Sequence, residues 1–586
     1  MAQTGLIPNP IIIKQTPPRA PIYGVAIDKN NSNPETSVSY INDAVGLLPS
    51  KGNNGSFQDN GWYGRFPFNK IKPVLLKDGV EVGDLDPNNY ARWRDGYTTQ
   101  LGSMPLMSVI KIKEDGVDQE FYVVRHDAYA SGRTLLLRRH THSPQKWRAS
   151  GVNNYEYGAL DVWLNNTYLD SIDADIRAQI EQVKIPYTIG NGNNAVADMW
   201  RKVFVLSGTE LGLSQVNMNI EGEALTCASS LISVTNNSGT QTAQWTRSPN
   251  TNSTASAWYI TSSGSVTYSV ASTSYNARPA FTLPSSFVVG IDMILDPDIT
   301  TGAMGDVMVK FPYMHYQITQ DNNFYYVRYS EEAFAGSTDW AFDYGGVIKP
   351  QFYVGAYHGW VDGNNKLRSL SGKTPTVSQP IGTLRTRAQS NGVGYEQLAW
   401  NKLILLQVLY IVRYKSLDSQ AALGLGYTNA NTTTIATGGT NAKGMDFGET
   451  TGKLQMKFCG IEDFWGNAFS WIDGIIQVSG SVRTATSGFN DAGTGYVQRD
   501  IYSTSVGNFI TRVQGTNSLG FLVTVAGGSQ TTYFCDQGQY MVSGSILVPR
   551  FGGTYNSAYS AGAYMLYLNN GVADAAVNYD SRLCMY

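Results

Sequence analysis

Few residues in this chain are spaced for chemistry. Glu462 and Asp463 set two carboxylates beside the Gly466-Asn467 turn, with Asp473 further on. Paired acids can divide acid and base work when their surroundings push their pKa values apart. Paired acids near a turn are also common without catalysis. His140-Thr141-His142 puts two imidazoles on one side of an expected strand, which is half of a metal site. No further His or Cys follows at ligand spacing. Arg133, Arg138, Arg139, Lys146 and Arg148 surround the pair, so the stretch reads as a charged strand edge. Such an edge could also touch an anionic glycan or a neighbouring subunit. Asp292, Asp296, Asp298 and Asp306 suggest calcium by proximity, but the D-x-[DN]-x-[DN]-G loop is not matched. The four cysteines, Cys227, Cys459, Cys535 and Cys584, lie far apart with no CxxC pair. Packed free thiols are expected, with a single bridge as the alternative. No metal, cofactor or catalytic centre is predicted.

The last residues have a different chemistry. Phe551-Gly552-Gly553, Ala561-Gly562, Leu568-Asn569-Asn570-Gly571 and Arg582-Leu583-Cys584 alternate with blocks rich in Tyr, Asn, Ser, Ala, Asp and Thr. Residues 551–586 contain no Lys, Glu, Gln or Trp. Tyr, Ser, Asn and Gly give binding loops contact area and adaptable hydrogen bonds at low entropic cost. A polar, Gly-rich hairpin with tyrosines along its edge is the plain alternative. The GG, AG, LNNG and RLC frame resembles the variable region of proteins diversified by retroelements, which end in a C-type-lectin-like fold. In that family adenines of AAY codons are randomised, giving Asn, Tyr, Ser, Asp, Thr, Ala, Val and Gly. The resemblance implies that Met565 and Met585 are fixed scaffold. It also implies an exposed ligand-binding face of Thr554, Tyr555, Asn556, Ser557, Tyr559, Ser560, Tyr564, Tyr567, Asp574, Asn578, Tyr579 and Asp580.

Residues 462–474 resemble the GNVWEW region of the sulfatase-modifying-factor branch of that fold, where the stretch is mostly scaffold. Ser470 stands where the branch has a Glu between two aromatics. Trp465, Phe469, Trp471 and Arg582 are expected to be buried or hydrogen-bonded beneath the variable strands. Enzymes of the wider fold use groove cysteines. Only Cys535 and Cys584 are candidates here, and neither has a base nearby in sequence.

The elements that must position these residues fall into blocks. Residues 1–22 carry Pro8, Pro10, Pro17, Pro18 and Pro21 and read as an extended attachment arm. Residues 23–96 open the first folded part. Their apparent partner resumes at Gly305-Asp306-Val307-Met308-Val309 and runs through 366–373 and 460–467. This series resembles phage and prophage tail-fibre or tail-tip proteins, in which the early and late blocks often follow each other closely. Residues 97–290 therefore read as an inserted domain, entered and left at an exposed loop. The order of its motifs, 121–124, 134–137, 159–166, Trp245-Thr246-Arg247-Ser248-Pro249 and Ala277-Arg278-Pro279, resembles a domain family of unknown function. Short helices are expected at 159–166 and 172–183, and a long exposed loop at 235–254. Residues 291–586 form the C-type-lectin-like domain, with its variable region at about 551–586. Its clearest helix is expected at 395–415, apolar around most of its circumference. A second helix is expected at 417–425 with Ser416 as N-cap.

Charged residues make up 15 % of 586, well under the usual quarter, while Tyr (36) and Gly (60) are abundant. That balance suits a β-rich extracellular or virion protein with many turns. A net charge of −3 points to no nucleic-acid partner. The longest apolar run, 403–412, is half a membrane span, and no signal peptide is evident at the start. The fold class expected is α+β and β-rich, a C-type-lectin-like (sulfatase-modifying-factor-like) domain carrying an inserted β-rich α+β domain. The function expected is that of a receptor-binding protein at a phage tail tip, made in the host cytoplasm and carried in the virion. Its partners would be a host cell-surface protein or glycan, other tail or baseplate proteins, and copies of itself, a trimer being favoured. The alternatives are a structural baseplate protein and an enzyme of the sulfatase-modifying-factor type.

Overall fold

The computed structural model describes residues 19–586. The arm expected over 1–22 lies outside the described residues up to residue 18. Strand makes up 36 % and helix 11 %, which sets the class as β-rich α+β. The chain divides into two compact units, one of which takes residues Ala91–Asp298 together with Glu81–Asp86. The other takes the rest of the described chain, Pro87–Tyr90 and Ile299–Tyr586 included.

The larger unit is stitched from both sides of the long interruption. Strand Ile22–Asp28 lies between Val38–Asn42 and Phe324–Ser330, and His315–Gln320 completes that antiparallel sheet. Lys72–Lys77 pairs with Asp306–Pro312, setting Leu76 opposite Asp306. Asp306–Pro312 pairs in turn with Gln351–Gly355. The chain-terminal strand Leu583–Met585 closes this layer between Gln351–Gly355 and Tyr395–Gln397. Asp306, one of the acids considered for calcium, is buried under Arg368 at 3.0 Å and accepts from the Ser369 amide.

Helix Trp400–Tyr414 is buried along its whole length. It begins later than the apolar pattern predicts, because Tyr395–Gln397 extends to pair with the C-terminal strand. Its polar side chains have internal uses. Gln407 donates to the Ala563 carbonyl, and Arg413 pairs with Asp446 at 3.0 Å and Asp59 at 3.1 Å. The next helix is Ser419–Leu423, and Asp418 rather than Ser416 caps it, accepting from the Gln420 and Ala421 amides. Asp418 occupies the N-cap position itself, from which one carboxylate oxygen reaches the amides two and three residues on. Beyond it the chain builds a large mixed sheet. Its central strands are Ile475–Val478, Ile546–Phe551, Leu566–Gly571, Gln537–Tyr540 and Val506–Val513.

The smaller unit holds two five-stranded sheets. One orders Val203–Phe204, Ala280–Pro284, Arg133–Arg138, Val117–Arg125 and Val109–Glu114, all antiparallel. The other includes Gln244–Pro249 between Ser274–Asn276 and Ser256–Ile260. The loop expected over 235–254 is therefore partly a strand, and a buried one. Arg247 pairs with both Glu210 oxygens at 2.7 and 2.8 Å, Thr246 donates to the Trp258 carbonyl and Ser248 to Glu221. Polar residues enter a core when every donor finds an acceptor. The helix expected at 172–183 shrinks to Ala174–Arg177, and the helical stretch from Ala159 passes through a π turn at Leu164–Tyr168. No helix among the described residues is long and apolar enough to cross a membrane.

Candidate ligand-binding face

Side chains alternate across a strand. The registers of the C-terminal sheet therefore decide which residues of the Tyr- and Asn-rich segment are displayed. Trp471 stands opposite Arg550, Arg550 opposite Tyr567, and Tyr567 beside Gln539 on the parallel neighbour. Phe469 stands beside Tyr579. These residues, with Asn569 and Gln537, share one side of the sheet, on which Phe469 and Trp471 are covered by Arg550 and Tyr579. Leu566, Leu568, Phe551, Ser470 and Asp580 point the other way and are buried.

The face is braced internally. The Tyr567 hydroxyl donates to Gln537 Oε1 at 2.6 Å, and Asn569 Nδ2 to Gln539 Oε1 at 2.7 Å. The Arg550 guanidinium lies 4.5 Å from the Phe469 ring centre, 4.6 Å from that of Tyr579 and 5.3 Å from that of Tyr567. Tyr579 also meets Trp471 edge-on at 5.1 Å. A shallow pocket of about 350 Å³ adjoins, lined by Ser505 to Asn508, Gln537, Gln539 and Tyr567.

The loop before the Leu566–Gly571 strand is shaped by its glycines. Gly552 and Gly553 have φ of 94° and 91°, a region that L side chains rarely adopt. A Cβ on Gly553 would also lie 2.7 Å from that of Ala561. From this turn Asn556 and Tyr559 reach solvent, Tyr559 being 51 % exposed. Ser557 and Ser560 are half-buried there. Gln420 holds the loop through the Ala558 and Ala561 carbonyls. Asp574 is exposed in a turn, and Tyr567, Asn578 and Tyr579 are half-buried.

Thr554, Tyr555, Tyr564 and Asp580 do not belong to an exposed face; each is buried. Thr554 Oγ1 donates to Asn556 Oδ1 at 2.6 Å and so braces its own loop. The Tyr555 amide donates to the Asn467 carbonyl. Tyr564 packs against Phe521 at 5.0 Å and Phe534 at 5.2 Å. Asp580 Oδ2 lies 2.7 Å from His358 Nδ1. Of the remaining eight candidates, four lie in the 556–560 loop, Tyr567 and Tyr579 on the sheet face, Asp574 in the 571–574 turn, and Asn578 in the turn before the Tyr579–Asp580 strand.

Beneath the face lies a buried polar layer. Glu462 accepts from the Gly438 and Thr440 amides, the Thr440 hydroxyl and Gln455. Asp463 accepts from Gln455 and Asn467, and burial, with the Glu462 charge adding, pushes its carboxyl up to about 7. Arg582 donates to the Gly355, Glu462 and Asp463 carbonyls. The acid pair is thus engaged in holding turns. Trp465, Phe469 and Trp471 are 1 %, 5 % and 0 % exposed, so the aromatic stretch is scaffold.

The other chemical candidates also have structural partners. Cys584 lies mid-sheet with Sγ 2.9 Å from the Tyr353 carbonyl, and burial pushes its thiol up to about 11. Burial likewise raises Cys459 and Cys535, away from the thiolate a nucleophile needs. His140 and His142 lie past the end of the Arg133–Arg138 strand rather than on it. His140 meets Thr235 at 3.0 Å and His142 meets Ser143 at 2.9 Å, so they do not converge on one point.

Arg550, Gln537, Gln539 and Asn569 were not among the residues expected from the variable frame. The alternation Leu566-Tyr567-Leu568-Asn569 and Gln537-Gly538-Gln539-Tyr540 carries the signal for all but Arg550. His358 has no sequence signal at all.

Comparison with known proteins gives one family and a few solved structures. A domain of unknown function (DUF6273) matches residues 131–285, inside the smaller unit. No curated protein matches the chain. Among solved structures, the Major Tropism Determinant U1 variant is similar at 12 % identity over 56 % of this chain and 71 % of its own, with a TM-score of 0.21. The M1 variant is similar at 13 % identity over 56 % of this chain and 80 % of its own, also with a TM-score of 0.21.

Proposed function

We propose that the chain is a receptor-binding protein of a phage tail tip, which engages its target through the C-terminal sheet face and the 556–560 loop. The observation that carries this reading is the face itself. Tyr567, Asn569 and Tyr579 of the variable-like segment alternate with buried Leu566, Leu568 and Asp580, so a rigid sheet presents a polar, aromatic surface. Aromatic side chains with few rotors, held on a fixed frame, bind at low entropic cost. The buried Trp465, Trp471 and Arg582 would keep that frame constant while displayed residues change. Diversification would then alter the target without altering the fold.

The test is binding of the labelled chain to a panel of bacterial cells, in parallel with a Tyr559→Ala/Tyr567→Ala/Tyr579→Ala variant. The reading expects saturable binding to at least one strain, lost in the variant while its melting temperature falls only modestly. Binding to no strain, or equal binding by both proteins, would favour an assembly role instead.

A further inference from the structure

Arg550 is set apart from the buried arginines of this protein by its lack of an acceptor. Arg247 has Glu210, Arg413 has Asp446 and Asp59, Arg385 has Asp473 and Asp491, and Arg582 has three carbonyls. Among the described residues nothing accepts a hydrogen bond from the Arg550 guanidinium, and its Nε is shielded from solvent with no partner. A shielded donor left unpaired carries a desolvation cost that an incoming acceptor would relieve. The nearest acid in sequence on this face is Asp574, and its Oδ2 already accepts from the Gly571 amide and Asn570 Nδ2. Burial lowers the Arg550 pKa to about 10, so the group is still a cation at neutral pH.

The neighbours add donors. Gln537 and Gln539 spend their carbonyl oxygens on Tyr567 and Asn569, which leaves their amide NH2 groups to a ligand. Tyr567 is shared: it is one ring of the guanidinium cage and one wall of the 350 Å³ pocket. A cation and two amide donors, flanked by aromatic walls, match an acceptor-rich anion carried on a small ring.

We propose that Arg550 is the anchor for the carboxylate or phosphate of an acidic sugar, whose ring sits against Tyr567 over the Gln537–Gln539 floor. The proposal rests on the receptor-binding reading and names the class of ligand. A sugar fits better than an acidic protein segment because the pocket is small and polar. The guanidinium would give two parallel N–H···O bonds to either anion, a geometry that Lys cannot copy.

Ligand-observed NMR titration of the full chain tests this with glucuronate, galacturonate, N-acetylneuraminate and glucose 6-phosphate, each against its neutral counterpart, and with hexaglutamate. The expected result is that at least one acidic sugar binds about tenfold or more tightly than its neutral partner. That preference should vanish in Arg550→Gln, recover only partly in Arg550→Lys, and leave the melting curve in place. The carboxylate and phosphate arms separate the two anion sources. No acid preferred over its neutral form, an undiminished preference in Arg550→Gln, or hexaglutamate outbinding every sugar would each overturn the proposal. Whole-cell binding separates this failure from that of the wider reading. Wild-type and Arg550→Gln chains binding cells equally would remove the anchor and leave receptor binding. Acidic-sugar binding without binding to any cell would keep the anchor and remove the receptor role.

Discussion

Tyr579 and Asp580 are neighbours on one short strand and meet opposite surroundings. Tyr579 is half-exposed beside Arg550, Phe469 and Trp471, whereas Asp580 is buried against His358. The same split separates Tyr567 from Leu566 and Leu568. One short segment therefore supplies both the displayed surface and the layer that fixes it. The lesson is that display is assigned residue by residue, by strand period and register, and not block by block along the chain.

Truncating the inner layer should have the largest effect. Trp465→Ala and Trp471→Ala should each lose about 3–5 kcal/mol in chemical denaturation. Tyr559→Ala, on the exposed loop, should stay within about 0.5 kcal/mol of the parent. Comparable losses in all three would erase the contrast.

The neighbouring pair makes a sharper case. Asp580→Ala should cost about 2–3 kcal/mol, because it strips a charged partner from buried His358. Tyr579→Ala should cost less than that in stability and more in cell binding. The reverse ranking would mean the strand faces the other way.

Acid–base titration addresses the layer beneath. Burial, with the Glu462 charge adding, pushes the Asp463 carboxyl up from the usual carboxylate range, near 4, to about 7 in the folded protein. Folded protein then binds more protons than unfolded protein between those values, so this group's contribution is full below about pH 4 and is lost as pH rises through 7. Asp463→Asn should flatten that fall in melting temperature between pH 4 and 7. Asn also tolerates the positive φ of 50° at this position. An unchanged pH profile would place the charge elsewhere.

A small stability effect is also expected of Arg550→Gln. Relief of a shielded, unpaired donor and loss of the ring contacts act in opposite directions, so the net shift should stay within about 1 kcal/mol. A loss comparable to that of Trp471→Ala would make Arg550 a structural residue.

Parts of this arrangement were legible in the sequence. The apolar surround of 403–412 marks a buried helix, and the spacing of Trp465, Phe469 and Trp471 marks core aromatics. What local pattern cannot show is pairing over long separation. Tyr395–Gln397 looks like the start of the helix until the C-terminal strand recruits it. Arg247 sits in a polar tract that reads as loop until Glu210 is brought to it. Asp580 looks displayed until His358, more than two hundred residues earlier, arrives beneath it. Arg550 is one arginine between Pro549 and Phe551, and only the cage around it makes it distinctive.

The division between displayed and anchoring residues is tested most directly by sequencing the reading frame for residues 551–586 across a population propagated on its host. The account predicts amino-acid replacements concentrated at Asn556, Ser557, Tyr559, Ser560, Tyr567, Asp574, Asn578 and Tyr579, arising from adenine changes. Gly552, Gly553, Tyr564, Asp580 and Arg582 should remain fixed. Replacements spread evenly over both sets, or confined to silent positions, would contradict it.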